Sequence, residues 1–235
     1  MDTQELLQEL RENILRDISD AESPTQSDFL WDTNTLLRYL NEAYFRFARL
    51  SKYIQDATTP EATEITLVPG QTEYPLHSSV LEILSARYGD LSLGITKTSV
   101  LNGDRRDMAS PQPVYTSMKS HPVSIVVPDY ELGVLKVAGE PKDSDAGETI
   151  NLRITRLPLA KLKQNDPGPE IPEHMQLDIL EWAAYRALRN HDFDGENVRK
   201  ASSHRNRFEA AIEEAVEEFR SRTFTDAVFS PSWRW

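Results

Sequence analysis

The side chains that could perform catalysis or bind a metal ion are sparse in this sequence. None of the 235 residues is a cysteine, which excludes a thiolate nucleophile, a disulfide and a cysteine-ligated zinc or iron–sulfur site. The five histidines are far apart in sequence: His77, His121, His174, His191 and His204. A histidine-based metal site would need distant segments to converge, so we interpret them as solvated or capping residues.

Other motifs that carry chemistry are incomplete or missing. Asn190, Asp192, Asp194 and Gly195 imitate the start of a calcium loop, but its twelfth position is Ala201 instead of a bidentate glutamate, which favours an ordinary helix–helix turn. No phosphate-binding glycine loop, HExxH or GxSxG string occurs. Four neighbouring glutamates are typical of a solvated helix face: Glu213, Glu214, Glu217 and Glu218. The sequence therefore predicts no enzyme activity, no cofactor and no metal.

The amino-acid composition limits the kinds of partner that this protein is expected to bind. The net charge is −12, and each third of the chain contains more acidic than basic residues. Because proteins that grip DNA through its phosphates display a cationic face, tight DNA binding is not expected. No apolar stretch approaches the ~20 residues of a membrane span, and the N-terminus lacks a cationic segment, so we expect neither a membrane helix nor a signal peptide.

Apolar spacing predicts four helices that would position any functional surface. The first covers residues 2–18, with the stripe Leu6, Leu7, Leu10, Ile14, Leu15 and Ile18. The second begins after an Asp32 or Thr33 cap and runs to about Tyr53, with the stripe Leu36, Leu37, Leu40, Tyr44, Phe47 and Ala48. The third runs from Pro172 to about His191, with Leu177, Leu180, Ala184, Ala187 and Leu188 on one face. The fourth ends near Arg222, with the stripe Val198, Ala201, Phe208, Ile212, Ala215 and Phe219.

Between the helix pairs, short alternating segments predict antiparallel strands: Glu64–Leu67, Val123–Val127, Val134–Val137 and Asn151–Thr155. Turns at Pro69–Gly70 and Ala146–Gly147 are expected to join neighbouring strands. The segment from Tyr88 to His121 is interpreted as a long surface loop.

This order predicts an α+β fold in which N- and C-terminal helices form one bundle with an inserted antiparallel β domain. The expected boundaries are residues 1–62 and 161–223 for the bundle, 63–160 for the β domain and 224–235 for a C-terminal tail.

Surplus apolar surface is the feature that points to function. Trp182 and Tyr185 fall opposite the apolar stripe of the third helix, so either the β domain or a second copy of the subunit is expected to cover them. The tail holds further aromatic residues in a short segment: Phe224, Phe229, Trp233 and Trp235. Because each aromatic ring can bury about 150–250 Å², we predict that the tail docks onto its own domain or onto another protein.

The order of several short patches resembles the head-to-tail adaptor (connector) proteins of tailed bacteriophages. These patches are Trp31–Tyr44, Leu67–Leu76, Ile125–Asp129, Arg153–Pro158, Ile171–His174, Ala183–Leu188 and Phe208 with Ala211. The resemblance spans about residues 29–218, which leaves the first helix, residues 88–121 and the aromatic tail outside the family's pattern.

The resemblance implies a non-enzymatic virion protein at the head–tail junction, assembled in the host cytoplasm. It implies a homo-oligomeric ring, a dodecamer, beneath the portal protein. Such a ring extends the DNA channel without specific DNA binding and gives tail or nozzle proteins an attachment platform. We assign Trp182, Tyr185, Phe224, Phe229, Trp233 and Trp235 to partner or subunit interfaces.

Two other function classes stay open from the residues alone. A monomeric peptide- or glycan-binding module is compatible with the strands, loops and exposed aromatic residues. An acid-catalysed hydrolase would require two carboxylates about 5–10 Å apart in one cleft.

Overall fold

A computed structural model describes residues 1–18, 28–97, 122, 124–127, 133–191 and 195–223. The chain divides into two compact units, one of Met1–Tyr53 with Pro158–Trp235 and one of Ile54–Leu157. Both helices and strands are present, so the mixed α+β prediction is confirmed. In the described ranges no helix is long and apolar enough to cross a membrane.

Five α-helices occur in the described residues: α1 (Thr3–Glu9), α2 (Thr33–Ser51), α3 (Pro60–Thr63), α4 (Asp178–His191) and α5 (Gly195–Thr223). The strands are β1 (Gln55–Asp56), β2 (Glu64–Thr66), β3 (Glu73–Pro75), β4 (Val80–Tyr88), β5 (Leu91–Lys97), β6 (Ser124–Val127), β7 (Val134–Ala138) and β8 (Thr149–Arg156).

The first predicted helix is shorter than the sequence pattern indicated. The Asp2 carboxylate accepts a hydrogen bond from the Glu5 amide to cap α1, and one π-helical turn, Leu10–Leu15, continues it. The helix ends at Arg16, whose φ of +54° is left-handed. Ile18 therefore lies beyond the helix and is 66% exposed, so its placement in the apolar stripe is wrong.

Helix α2 confirms the predicted start and most of the predicted stripe. The Asp32 carboxylate accepts a 3.2 Å hydrogen bond from the Thr35 amide. The buried members of the stripe are Leu36, Leu40, Tyr44, Phe47 and Ala48, whereas Leu37 is only half-buried. Lys52, with a φ of +53°, ends the helix one residue before Tyr53.

Helices α4 and α5 start differently from the prediction. Pro172 precedes a separate 3₁₀ turn, Glu173–Met175, instead of beginning α4 itself. Leu177 lies before the first turn of α4 and is 47% exposed, and Val198 in the first turn of α5 is 53% exposed. Their assignment to the buried faces is therefore wrong, because the contacts between the helices involve residues further along each one.

The β unit contains one curled, mostly antiparallel sheet. Its strands follow the order β1-β8-β4-β5-β6-β7-β3, and β2 also pairs with β8. One core includes Ile65 from β2, which pairs with β8 near one end of that order, and Tyr74 from β3 at the other end, so the sheet must curl around it. A fully antiparallel sheet was predicted, but β5 and β6 run parallel. A parallel pair needs a crossover connection, here the residues between Lys97 and Ser124.

Two further details of the β prediction need correction. The segment from Tyr88 to His121 was expected to be a loop, but its first part contains a turn at Gly89, whose φ is +55°, followed by strand β5. Residues 98–121 of that segment lie outside the described residues. Gly70 and Gly147 have φ values of +76° and +81°, as turn chemistry requires. However, neither turn joins a hydrogen-bonded pair, since β2 pairs with β8 and β3 with β7.

A buried ion pair links β1 to β8 at the edge of this sheet. The Asp56 carboxylate accepts a 2.6 Å hydrogen bond from Arg156 Nε, and the two side chains are 3% and 7% exposed. Asp56 also accepts bonds from the Thr58 and Thr59 amides and from the Thr59 hydroxyl. Burial opposes the charge, but these bonds hold the pKa of Asp56 well below its usual value. The carboxylate thus fixes the backbone between β1 and α3.

Candidate functional site

Helix α4 carries the two interface residues predicted within the described part of the chain. Trp182 and Tyr185 are 7% and 8% exposed, with ring centroids 4.9 Å apart. The Trp182 ring lies 5.3 Å from Phe208 of α5, and the Arg46 guanidinium of α2 lies 4.1 Å above it. We expected the β domain or a second subunit to cover these rings, but neither is needed to bury them. Helices α2 and α5 of the same unit bury these rings because they pack on different sides of α4.

A polar hub links Trp182 to the molecular surface. Glu42 of α2 accepts hydrogen bonds from the Trp182 indole N–H at 3.1 Å and from Arg186 Nη1 at 2.6 Å. The Arg186 guanidinium also lies 5.6 Å from the Tyr39 ring centroid. Because Glu42 and Arg186 side chains are 37% and 33% exposed, the buried tryptophan positions a charged pair that solvent or a partner can reach.

Next to this hub, α2 has a surface groove of about 450 Å³. Its lining combines the half-buried apolar residues Leu37 and Phe45 with charged and amide side chains, which are Asn34, Arg38, Asn41, Glu42 and Lys161. The Asn41 side chain fixes one wall, since it donates to the Leu162 carbonyl at 2.9 Å and accepts from the Leu162 amide at 2.7 Å. A mixed lining of this kind fits a protein segment better than a small polar substrate.

The sequence interpretation missed Glu42, Arg46 and Arg186. A signal was present, because Arg38, Glu42 and Arg46 recur every four residues along α2. This spacing places them together on the side of the helix opposite the centre of the apolar stripe. What could not be predicted is the partner in α4, which depends on tertiary packing.

The histidines do not converge. His77 Nδ1 is 2.7 Å from the Ser79 hydroxyl, His174 Nε2 is 3.3 Å from Glu218, and His204 Nδ1 is 2.6 Å from Glu181. In the described residues no group of three or more His, Asp or Glu side chains could hold a metal ion. His121, the His191 side chain and the calcium-like Asp192–Asp194 segment lie outside the described residues.

The acidic side chains at the start of α4 form an electrostatically strained group. Burial raises the pKa of Asp178, the charges of Glu214 and Glu181 raise it further, and His174 acts in the opposite direction. The start of α4 and the adjoining C-terminal half of α5 are therefore both acidic.

The four aromatic residues of the predicted tail, Phe224, Phe229, Trp233 and Trp235, lie outside the described residues. Helix α5 ends at Thr223, and Phe219 in its last turns lies 6.4 Å from the Tyr53 ring.

Comparison with known proteins identifies a family that matches this chain. The family model described as SU10 adaptor protein matches residues 1–230. No curated protein matches the chain. The match extends beyond the expected span of residues 29–218 and includes the first helix and residues 224–230 of the predicted tail. The chain therefore belongs to the SU10 adaptor protein family and is a phage structural adaptor.

Proposed function

We propose that this protein is the head-to-tail adaptor of a tailed bacteriophage, assembled as a dodecameric ring beneath the portal. The ring extends the DNA channel and provides the attachment platform for tail or nozzle proteins. The observation that carries this proposal is the family match over residues 1–230. The subunits fold in the host cytoplasm and reach the virion at the head–tail junction.

The charge of the chain supports a passive role toward DNA. The net charge is −12, and an acidic channel surface would repel phosphates and let DNA pass without binding it. Closed cyclic assembly also requires two different contact surfaces on each subunit, because its interfaces are heterologous.

The proposed architecture is a helical bundle, formed by the N- and C-terminal segments, into which the β domain is inserted. The path of the chain supports it, since residues before Ile54 and after Leu157 form one compact unit. In the ring, we assign partner docking to Phe224, Phe229, Trp233 and Trp235. Trp182 contributes to an interface by positioning Glu42, which binds Arg186, and Tyr185 contributes by packing against the Trp182 ring.

The test of this function is the mass of the purified protein with and without the portal protein of the same phage, by light scattering on a sizing column. Assembly well above the 26.8 kDa subunit mass, alone or with the portal, is the expected result. A protein that stays monomeric under both conditions would contradict the adaptor proposal. Peptide and glycan binding screens would then test the alternative of a monomeric binding module.

A further inference from the structure

The middle of helix α5, between Asn197 and Phe219, separates its charges by sign, while Glu196 before it and Arg220 and Arg222 after it have the opposite sign to the adjoining half. Between Asn197 and Phe208 it carries four basic residues and no acidic one: Arg199, Lys200, Arg205 and Arg207. Between Phe208 and Phe219 it carries five acidic residues and no basic one: Glu209, Glu213, Glu214, Glu217 and Glu218. We name these the basic half and the acidic half; at 1.5 Å per residue their centres are about 16 Å apart.

Most of these charges face solvent. All four side chains of the basic half are exposed, as are Glu213, Glu214 and Glu217 of the acidic half. At 100° per residue, Arg199, Glu213 and Glu217 lie on the side of α5 opposite its buried Ala201, Phe208 and Ala215. The exposed side chains of this middle segment of α5 are therefore positive between Arg199 and Arg207 and negative between Glu213 and Glu217.

Contacts within the subunit involve both halves. Arg205 binds Glu209 at 2.8 Å across the boundary, and Arg207 lies 3.7 Å from Glu181 of α4. Glu218 accepts a 3.1 Å hydrogen bond from the Tyr53 hydroxyl and lies 3.3 Å from His174 Nε2. In the acidic half, Glu209 with Glu213, Glu213 with Glu217, and Glu214 with Glu218 are like charges at i,i+4 spacing, which destabilises an isolated helix. Asp178 of α4 adds another acid there, and Glu214 contributes to its raised pKa.

The acidic half also carries a place where another surface could pack. A groove of about 590 Å³ runs along it, lined by Ile212, Glu213, Val216, Glu217, Arg220 and Ser221. Half-buried Ile212 and Val216 provide apolar contact area between the two glutamates. This combination of an apolar strip and a charged rim is the composition of a protein interface.

We infer that α5 is a contact between neighbouring copies of this chain, in which the basic half of one subunit binds the acidic half of the next. This inference rests on the proposed ring. The occupant is a second copy because the two halves are complementary in sign, and because a heterologous interface joins two different patches of identical subunits. If α5 ran parallel to the ring axis, cyclic symmetry would place the basic halves of neighbouring subunits side by side, and likewise the acidic halves. The proposed contact therefore requires that α5 be inclined to the ring axis and overlap the α5 of the next subunit.

Charge reversal on each half tests this contact. Variant R199E/R205E reverses two charges and leaves the basic half without net charge, and variant E213R/E217R reverses two charges and leaves the acidic half with little net charge. Each variant alone is expected to lose the high-mass assembly seen by light scattering with the portal present. An equimolar mixture is expected to restore it, since the two variants can alternate around a ring. The variant E61R/E64R, which changes two exposed glutamates of the β unit, controls for net charge.

The outcomes separate this inference from the adaptor function. If the unmodified protein does not assemble, the proposed function fails. If it assembles and both variants assemble equally well, the α5 contact is refuted while the adaptor function stands. If R199E/R205E alone loses assembly and the mixture does not restore it, the basic half binds the portal or DNA instead of a second copy, which also refutes the contact.

Discussion

At the scale of single residues, the Asp56–Arg156 pair is the most constrained polar contact of the β unit. Both side chains are nearly inaccessible, and Asp56 accepts hydrogen bonds from two backbone amides as well. A buried ion pair is not strongly stabilising in itself, but removing one partner leaves the other charge buried without compensation. The pair therefore acts as a fixed element of the fold.

The substitution Asp56→Asn is expected to lower the free energy of unfolding by about 3 kcal/mol, because it leaves the Arg156 guanidinium buried without an anionic partner. Equilibrium urea unfolding at pH 7 measures the change. Glu64→Gln, at an exposed position of β2, is the matched control and should change stability by less than about 0.5 kcal/mol. Equal effects of the two substitutions would show that the ion pair has no special role.

The same carboxylate predicts a pH dependence. Its pKa is lower in the folded state than in the unfolded state, so its contribution is complete above the unfolded pKa of about 4 and is lost as the pH falls through the folded value. The stability difference between the unmodified protein and Asp56→Asn should therefore shrink between pH 5 and pH 2, as judged by urea unfolding at each pH. A difference that grows on acidification would contradict the assigned direction.

At the scale of elements, α4 is held between α2 and α5, and aromatic residues form the contact layer. Phe208 of α5 is fully buried, 6.3 Å from the Phe47 ring and 5.3 Å from the Trp182 ring. Trp182 meets both neighbouring helices, since it also donates to Glu42. The interface between these three helices thus explains why α4 is apolar on two sides.

Truncation of Phe208 to alanine is expected to destabilise the helical unit by about 3–5 kcal/mol, because it opens a cavity where two other aromatic rings meet. Val198→Ala on the same helix removes a 53% exposed side chain and should cost less than about 0.5 kcal/mol. Thermal unfolding followed by circular dichroism compares the two variants. Similar melting temperatures would show that the α2–α4–α5 layer is not the core.

The end of the first helix offers a stabilising change. Arg16 is exposed and has a left-handed φ of +54°, a conformation that costs a non-glycine residue about 1 kcal/mol. Arg16→Gly is therefore expected to raise the free energy of unfolding by up to about 1 kcal/mol. Glu12→Gly, inside the π-helical turn, should lower it by about 0.5–1 kcal/mol. Urea unfolding distinguishes the signs; a loss for both would contradict the capping interpretation.

At the scale of the whole molecule, we propose two parts of the chain for assembly. One is the charge-separated middle segment of α5, which suits contact between identical subunits. The other is the predicted tail, residues 224–235, whose sequence contains four large aromatic residues but only one acidic and one basic residue. Since aromatic side chains commonly dominate binding energy at protein interfaces, the tail suits contact with the portal.

Deletion of residues 224–235 is expected to weaken portal binding at least tenfold. The more specific variant F229S/W233S/W235S should reproduce the loss, because it removes the aromatic anchors and keeps the length of the tail. The variant S230A/S232A is the control and should bind normally. Affinity for purified portal, measured by biolayer interferometry, decides the point; unchanged binding by the triple variant would remove the tail from the interface.

Several elements were predictable because local rules define them. The Asp32 cap and the stripe of α2, the buried Phe208 and Ala215 of α5, and the alternation of β7 and β8 all follow from side-chain type and spacing. The structure departs from the sequence prediction where the tertiary environment competes with the local pattern. Ile18, Leu177 and Val198 fit their helical periods, but in the described part of the chain they are 66%, 47% and 53% exposed.

The sequence by itself determined that the chain is a mixed α+β protein without cysteine chemistry, that it is acidic, and that its ordered patches resemble phage adaptors. These properties depend on composition and on local spacing, which need no knowledge of distant contacts. Only the tertiary structure decided that β5 and β6 run parallel, that Trp182 is covered by α2 and α5, and that Glu42 meets Arg186. Each of these joins residues far apart in the chain, and the choice among such pairings is made by packing the whole core.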